Sequence, residues 1–152
     1  MPECTLRQFR TADGEWLREW FQSDAAGMAQ FMGFALPTEA DCIQGFNNIF
    51  TAVQQQLAQF WMVEREAEPI GFIALTEIPP EQDRGLVHIY IEPSQRRYSL
   101  KAAKAGEMAF SLQGFKHLVA TQHRDNRAAY ALARRMGFAP HPTVVLQKAL
   151  DV

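Results

Sequence analysis

The sequence holds 152 residues, of which 47% are hydrophobic and 21% are charged, and its formal net charge is −2. This length predicts one domain, spanning 1–152, whose core buries about two thirds of the surface of the unfolded chain. No apolar run approaches the roughly 18–20 residues of a membrane span, and the N-terminus lacks the apolar stretch of a signal peptide. Cys4 and Cys42 have no metal-ligand spacing, so we expect a reduced, cytoplasmic protein without a metal.

Acidic and basic side chains are distributed unevenly along the chain. Residues 94–136 have nine basic and two acidic side chains, a net charge of +7, and the rest has six and fifteen, a net charge of −9. This asymmetry predicts that the basic stretch meets a small polyphosphate ligand, although a solvated helix face has a similar composition. An isoelectric point near 6.1 makes nucleic acid an unfavourable partner.

The first third of the chain predicts a strand followed by helices. Residues 4–9 alternate apolar and polar side chains, which is typical of an edge strand. Asp13 is placed to cap a short helix, and residues 23–37 form a loop or a broken helix rich in Phe and Met. Thr38 begins a capping box. The apolar side chains after it recur at intervals of three and four residues, which predicts an amphipathic helix as far as about residue 59.

Three strands follow in the middle of the chain. FWMVER (60–65) and PIGFIALTE (69–77) are separated by a short acidic turn, which predicts a hairpin. LVHIYIEP (86–93) is the third strand, and Pro93 ends it because proline cannot donate a ladder hydrogen bond.

The rest of the chain alternates between helix and strand. We predict four further elements: a helix over about 99–113, a strand over 116–122, a helix from Asp125 or Asn126 to Met136, and a strand over 142–150. Gly114 and Gly137 end the two helices as C-caps. The complete order predicts an α/β fold, an α+β sandwich with a mixed sheet of six to seven strands flanked by about four helices. The step from 86–93 to 116–122 predicts a right-handed parallel crossover.

The stretch IEPSQRRYSLKAAKAGEMAF, residues 91–110, has the layout of strand, basic turn and helix. This layout is typical of phosphate binding, because the first N–H groups of a helix and its dipole attract anions. The turn lacks the glycines that usually let the backbone approach a phosphate closely. Three interpretations stay open: a working but atypical cofactor loop, a loop that no longer binds, and a plain connection.

Two segments of the chain resemble the GNAT-type N-acetyltransferases, which move an acyl group from acyl-coenzyme A to an amine. One runs from Val87 through HIYIEPSQRRYSLKAAKAGEMAF, and the other is DNRAAYALARRMGF (125–138), which is similar to the Asn-x-x-Ala…Gly-Phe helix of that family. The resemblance extends from about residue 5 to 150. It implies a GNAT-like fold, acetyl-coenzyme A as co-substrate and direct transfer to a primary amine of a small molecule or a protein.

The family's loop pattern, Gln/Arg-x-x-Gly-x-Gly/Ala, aligns with this sequence in two frames. Anchored on Arg96, it places Ser99 and Lys101 at the glycine positions, and a shift by one residue places Leu100 and Ala102 there. The resemblance also implies that the pantetheine arm pairs with the backbone at the end of the third strand. The implied cofactor-binding residues are Ile91, Glu92, Arg96, Arg97, Tyr98, Ser99, Leu100, Lys101 and Asn126.

The third strand carries candidates for the acid–base chemistry. Alternation along the strand places His88, Tyr90 and Glu92 on one face, as an unusual polar row. An ordinary pKa near 6.5 suits His88 to general-base catalysis, and Glu92 is suited if burial raises its pKa. Alternatively, His88 and Tyr90 have no catalytic role and are hydrogen-bonded residues of the core.

The general acid is a second departure from the family. The resemblance implies a tyrosine seven residues after Asn126, but that position is Ala133. Tyr130 lies one turn earlier on nearly the same helix face, so it is either a substitute acid or a core residue.

The acceptor side is the least specified. In this fold the two N-terminal helices and their connection line it, and Met28, Phe31, Met32 and Phe34 form there either an adaptable apolar wall or core. The negative charge outside the basic stretch favours a cationic amine. The alternative function is a catalytically inactive binding or structural protein of the same fold, which the missing glycines and tyrosine favour. Exposed sheet edges permit a homodimer.

Overall fold

The computed structural model describes residues 4–32, 38–120 and 127–139. One sheet and the helices packed on it account for most of these residues. In chain order the elements are β1 (Thr5–Gln8), α1 (Gly14–Ser23), α2 (Ala25–Met32), α3 (Glu39–Gln54), β2 (Gln59–Arg65), β3 (Glu68–Thr76), β4 (Arg84–Ile91), α4 (Ser99–Leu112), β5 (His117–Val119) and α5 (Arg127–Arg135), with short 3-10 helices at Thr11–Asp13 and Pro93–Tyr98.

The strands follow one another across the sheet in the order β1-β2-β3-β4-β5. The first four are antiparallel neighbours, and β5 joins β4 in parallel after the crossover through α4. The predicted mixed sheet, the edge strand β1 and the parallel crossover are therefore confirmed. The described part of the chain has five strands where six to seven were predicted, and the predicted strand over 142–150 lies outside it.

The hairpin of β2 and β3 holds the middle of the sheet. It is confirmed, and its two-residue turn places Glu66 and Ala67 at φ of 53° and 65°. Both residues lie in the left-handed region, as the tightest hairpin turns require. The register skips Ile70 between the partners of Val63 and Glu64, which marks a bulge in β3.

Helices cover both faces of the sheet. Alternation along β3 directs Phe72 and Ala74 to a core cluster shared with α1, α2 and α3, and Ile73 and Leu75 to a cluster shared with α4. Phe72, Ala74 and Leu75 are fully buried. The sheet therefore separates a layer of three N-terminal helices from a layer that contains α4.

The capping prediction for Thr38 is confirmed, and the one for Asp13 is wrong. Thr38 Oγ1 accepts a hydrogen bond from the Asp41 N–H at 3.2 Å, and the Asp41 carboxylate accepts one from the Thr38 N–H. Asp13 makes no such bond to α1. Its buried carboxylate accepts two bonds from Arg7, at 2.7 and 2.8 Å, because a buried charge requires a counter-ion.

The region between α1 and α3 is a broken helix as far as the structure describes it. Asp24 interrupts the helix between α1 and α2 and caps α2, where its Oδ1 accepts the Gly27 N–H at 3.3 Å.

Gly114 and Gly137 have φ of 95° and 87°, which confirms both predicted C-caps. Each helix of the described residues is too short or too polar to span a bilayer.

Candidate functional site

Strands β4 and β5 are paired only at one end. The described ladder joins 84–86 to His117–Val119, and β5 offers no partner to 87–91 within the described residues. On its other edge β4 pairs with β3 in unbroken register from Leu86 to Ile91. Among the described residues, the outer edge of 87–91 thus faces a gap, and an extended ligand can pair with such an edge as an added strand.

An apolar cavity lies beside this gap, between the sheet and helices α4 and α5. Its volume is about 80 Å³, and it is partly open to solvent. Small residues on the two helices leave this space, and the sheet contributes apolar side chains. The lining includes Ile73, Val87, Ile89, Ala103, Gly106, Leu118, Ala129 and Ala133. Its apolar lining suits an apolar segment of a ligand.

The segment predicted as a basic loop is helical. Pro93–Tyr98 forms a 3-10 helix that continues into α4, and the Ser99 N–H donates to the Arg96 carbonyl. Among the described residues, those with a positive φ lie outside 93–101. The missing glycines therefore cause no backbone strain here, although helix formation uses N–H groups that an open loop would offer to an anion.

Arg96 points toward α2. Its Nε donates to the Ile91 carbonyl at 3.2 Å, and its Nη2 donates to Asp24 Oδ2 at 3.0 Å. The same Asp24 oxygen accepts the Tyr90 hydroxyl at 2.9 Å. Three segments of the chain thus meet at one carboxylate: the start of α2, the end of β4 and the 3-10 helix.

Arg97 has a different partner from Arg96. Its guanidinium lies 4.8 Å from the centre of the Tyr98 ring, and Arg65 of β2 lies 4.3 Å from the same ring. Cation–π attraction holds both arginines there. Of the other predicted cofactor residues, Ser99 and Leu100 are half-buried and Lys101 is exposed on the first turn of α4.

Tyr90 serves as a hydrogen-bond donor. Its side chain packs against Trp20 and Phe72 and is 3% exposed. Burial and the hydrogen bond to Asp24 raise the pKa of Tyr90 far above its ordinary value of 10. The phenol therefore stays protonated at neutral pH and cannot act there as a general base.

His88 is half-buried on the same face of the sheet. Its Nε2 lies 3.0 Å from Thr76 Oγ1, and its ring makes an edge contact with Phe31 of α2. Burial lowers the pKa of His88 below 6.5, against a smaller opposing effect of a hydrogen bond to the Phe31 backbone. The imidazole is therefore neutral at pH 7 and able to accept a proton.

The remaining candidates lie in different places. Glu92 follows β4, where its N–H donates to the Ile70 carbonyl at 2.8 Å and its carboxylate accepts the Ser94 hydroxyl. Tyr130 is on α5 and is 53% exposed, so the alternative that it packs in the core is wrong. Asn126 lies outside the described residues.

The acceptor wall is partly described. Met28 and Phe31 are buried in the core cluster of the N-terminal helices. For these two residues the structure agrees with the predicted alternative of a core position. The side chains of Met32 and Phe34 lie outside the described part of the chain.

The sequence interpretation missed Asp24 and Gly27. A Cβ at Gly27 would overlap the Asp24 carboxylate and lie 2.9 Å from Arg96 Nη2, so the contact between the two charged groups requires glycine there. The sequence SDAAG has an Asp before an apolar run, which is an N-cap signal that was available. The link to Arg96 had no such signal, because it joins residues 72 positions apart.

Comparison with known proteins identifies solved structures of similar fold. Solved structures with a similar fold include RimL, a ribosomal L7/L12 alpha-N-protein acetyltransferase, at a TM-score of 0.74 and 17% identity, covering 89% of this chain and 76% of that one. The spermidine N-acetyltransferase from Vibrio cholerae, in complex with CoA and spermine, has a TM-score of 0.73 at 16% identity, covering 91% and 82%. The microcin C7 self-immunity acetyltransferase MccE, in complex with acetyl-CoA and AMP, has a TM-score of 0.72 at 17% identity, covering 91% and 80%.

Identity below one fifth in these structures shows the fold alone, and no curated protein sequence matches this chain significantly. The family model for the acetyltransferase (GNAT) domain, in contrast, matches residues 3–139, which is most of the sequence. The predicted resemblance is therefore confirmed, and the chain belongs to the GNAT acetyltransferase family.

Proposed function

We propose that this protein transfers an acetyl group from acetyl-coenzyme A to a primary amine by direct attack of the amine on the thioester. The observation that carries the proposal is the outer edge of 87–91, which has no strand partner among the described residues and lies between an apolar cavity and the start of a basic helix. Family membership makes acyl transfer the favoured chemistry for such an edge.

The residues of this chain fit a coenzyme A thioester. The edge of 87–91 offers backbone partners for the amides of the pantetheine arm, and the cavity between α4 and α5 suits its apolar parts. The helix that begins at Pro93 directs its positive dipole end toward an anion, and Arg97 and Lys101 add positive charge. We infer that the pyrophosphate lies near this helix start.

The transfer forms a C–N bond to the acetyl carbonyl and breaks its C–S bond, so that coenzyme A leaves as a thiolate. The attacking amine has to lose a proton, and His88 is the proposed base because its imidazole is neutral at pH 7. Glu92 is the second candidate, at the end of the same strand. A thiolate is a fair leaving group, so correct placement of amine and thioester supplies much of the rate even without a strong acid.

The alternative function is a binding protein of the same fold that does not catalyse transfer. The internally bonded N–H of Ser99 favours it, because the helix offers an anion fewer donors than an open glycine loop. Tyr130 favours it as well, since its exposed position on α5 gives no sign of a buried acid.

A thermal-shift titration with acetyl-coenzyme A, coenzyme A and ATP separates these functions. A ligand at 100 times its dissociation constant adds about 2.7 kcal/mol of stability, which is a large shift for a domain of this size. We expect acetyl-coenzyme A to raise Tm and ATP not to, and a panel of amines then to release free thiol. Binding without thiol release would contradict the proposed transfer and favour the non-catalytic alternative, and so would the absence of any binding of acetyl-coenzyme A or coenzyme A.

A further inference from the structure

We propose that Asp24 and Arg96 form a positioning pair that fixes the cofactor edge of β4 against α2. In this role Arg96 supports the pantetheine side of the site and does not bind the phosphates. The inference rests on the proposed function, because it assigns two residues to the binding of the same thioester.

The contacts of Arg96 place its guanidinium across the end of β4. Nε donates to the Ile91 carbonyl at 3.2 Å, and this carbonyl faces away from β3, since β3 pairs with the next N–H along, that of Glu92. Ile91 is thus the last residue of the edge proposed to bind pantetheine. Arg96 restrains the direction of that edge by holding its terminal carbonyl.

Asp24 fixes the other end of the guanidinium. Its side chain is 15% exposed, and its two oxygens accept hydrogen bonds from Arg96, from the Tyr90 hydroxyl and from the Gly27 N–H. Hydrogen bonds that involve an ionised partner are among the stronger ones in proteins. Because Asp24 also caps α2, the pair connects that helix directly to the edge of β4.

The space for this pair is a built feature of the fold. Gly27 lacks the side chain that would overlap the carboxylate and approach Arg96 Nη2 to 2.9 Å. The aromatic ring of Tyr90, held between Trp20 and Phe72, sets the direction from which its hydroxyl reaches Asp24. The Asp24 end of the pair therefore rests on the buried ring of Tyr90, whereas the Arg96 side chain is 52% exposed.

Arg96 already donates to the Ile91 carbonyl and to Asp24, which argues against its contact with a phosphate. A guanidinium that moved to a phosphate would leave a mostly buried carboxylate without its counter-ion, which is unfavourable. Fixing the edge before the ligand arrives also reduces the entropy lost on binding. The pair thus acts by positioning, through Ile91 and α2, and has no direct contact with the reacting atoms.

The two halves of the cofactor test this assignment. Affinities for acetyl-pantetheine, which has no phosphates, and for adenosine 3′,5′-bisphosphate are measured by NMR titration for wild type, Arg96→Ala, Asp24→Asn and the double variant. We expect each single variant to lower the affinity for acetyl-pantetheine, by about tenfold for Arg96→Ala. The affinity for adenosine 3′,5′-bisphosphate, the nucleotide half, should not change. The double variant should be little worse than Arg96→Ala, because both changes remove one interaction.

Two further variants provide controls. Arg84 begins β4 and pairs with Asp83 at 3.3 Å, and its side chain is 54% exposed against 52% for Arg96. Arg84→Ala therefore removes a matched arginine at the opposite end of the strand and should leave both affinities unchanged. Lys101→Ala should lower the affinity for the nucleotide half and leave the affinity for acetyl-pantetheine unchanged. Urea unfolding of every variant shows whether it is folded at the temperature of the titration.

The possible results are distinct. Arg96→Ala could instead lower the affinity for the nucleotide half and leave the affinity for acetyl-pantetheine unchanged. That result would show that Arg96 is a phosphate ligand and overturn the inference. Unchanged or tighter acetyl-pantetheine binding by that variant would overturn it too. If wild type binds neither half nor acetyl-coenzyme A, the proposed function fails and the inference with it, whereas normal wild-type binding with unaffected variants contradicts the inference alone.

Discussion

Three polar side chains alternate along one strand and its continuation, yet their partners give them different chemistry. Tyr90 is protonated and bound to Asp24, so it is a donor. His88 is neutral and lies beside Thr76, so it can accept a proton. Glu92 is at the strand end, where the Ser94 hydroxyl donates to it. Residue type and position alone made all three candidates for the acid–base chemistry.

The pH dependence of turnover tests the role of His88. Burial lowers the pKa of His88 below 6.5, so its neutral form persists as the pH falls from 8 through 6.5. If His88 is the base, kcat/KM should decline only at a pH below 6.5, and His88→Gln should lower kcat/KM by about 10²–10⁴-fold and abolish that decline. An unchanged pH profile in His88→Gln would shift the assignment to Glu92.

The ion pair of Asp13 with Arg7 should make stability depend on pH. The hydrogen bonds from Arg7 lower the pKa of Asp13 below its ordinary value of 3.8. A lowered folded-state pKa stabilises the fold above the unfolded value, and this stabilisation is lost as the pH falls through the folded value. Asp13→Asn should therefore lower the free energy of unfolding at pH 7 by about 1–3 kcal/mol. Urea unfolding between pH 3 and 7 checks this, and equal losses with acid in both proteins would contradict it.

At the scale of elements, the continuous helix from Pro93 explains why two positions where the family's loop pattern has glycine accept other residues. Right-handed backbone conformations suit Ser99 and Lys101 as well as glycine. Glycine is required elsewhere, at Gly71 on β3, where a Cβ would overlap the Tyr90 carbonyl and lie 2.9 Å from Ile91 Cα. The close approach of β3 to β4 at the candidate site therefore depends on a residue outside the family's loop pattern.

We expect Gly71→Ala to destabilise the protein strongly. The new methyl group meets backbone atoms of β4, which cannot rotate away as a side chain does, so the two strands have to separate locally. The free energy of unfolding should fall by about 1–3 kcal/mol, and hydrogen exchange at 88–91 should accelerate. Gly14→Ala is the matched control, since a Cβ there meets nothing within 4 Å. Similar stability of the two variants would contradict the close approach.

For the whole molecule, the sheet separates two environments. The face toward α1, α2 and α3 carries the polar row of His88 and Tyr90, and the face toward α4 carries the apolar cavity. Of the basic side chains over 94–136, Lys101 and Lys104 belong to α4, and Arg127, Arg134 and Arg135 belong to α5. In the proposed function, the acceptor and the cofactor approach from opposite sides of one strand.

This division of charge predicts how salt affects binding. The affinity for acetyl-coenzyme A should fall as ionic strength rises from 0.01 to 1 M, because the Debye length shortens from about 30 Å to 3 Å. The affinity for acetyl-pantetheine should hardly change, since that half carries no phosphate. Calorimetry at several salt concentrations compares the two ligands. Equal salt dependence would mean that the positive stretch does not meet the cofactor phosphates.

The sequence by itself determined the local elements and the family. The capping box of Thr38, the hairpin of β2 and β3 and the C-caps at Gly114 and Gly137 depend on residues close together in the chain, so their patterns are visible without a structure. The motif over 125–138 and the strand–turn–helix over 91–110 were sufficient to indicate the GNAT family for the same reason.

Only the tertiary structure decided which partners the charged and polar side chains have. Asp13 pairs with β1 and does not cap its helix, and Arg96 and Tyr90 meet Asp24 across 72 and 66 positions of the chain. Burial removes water from these groups, so each must find its hydrogen-bond partner wherever the packed elements bring one within reach. That choice depends on the packing of distant segments, and no local pattern in the sequence records it.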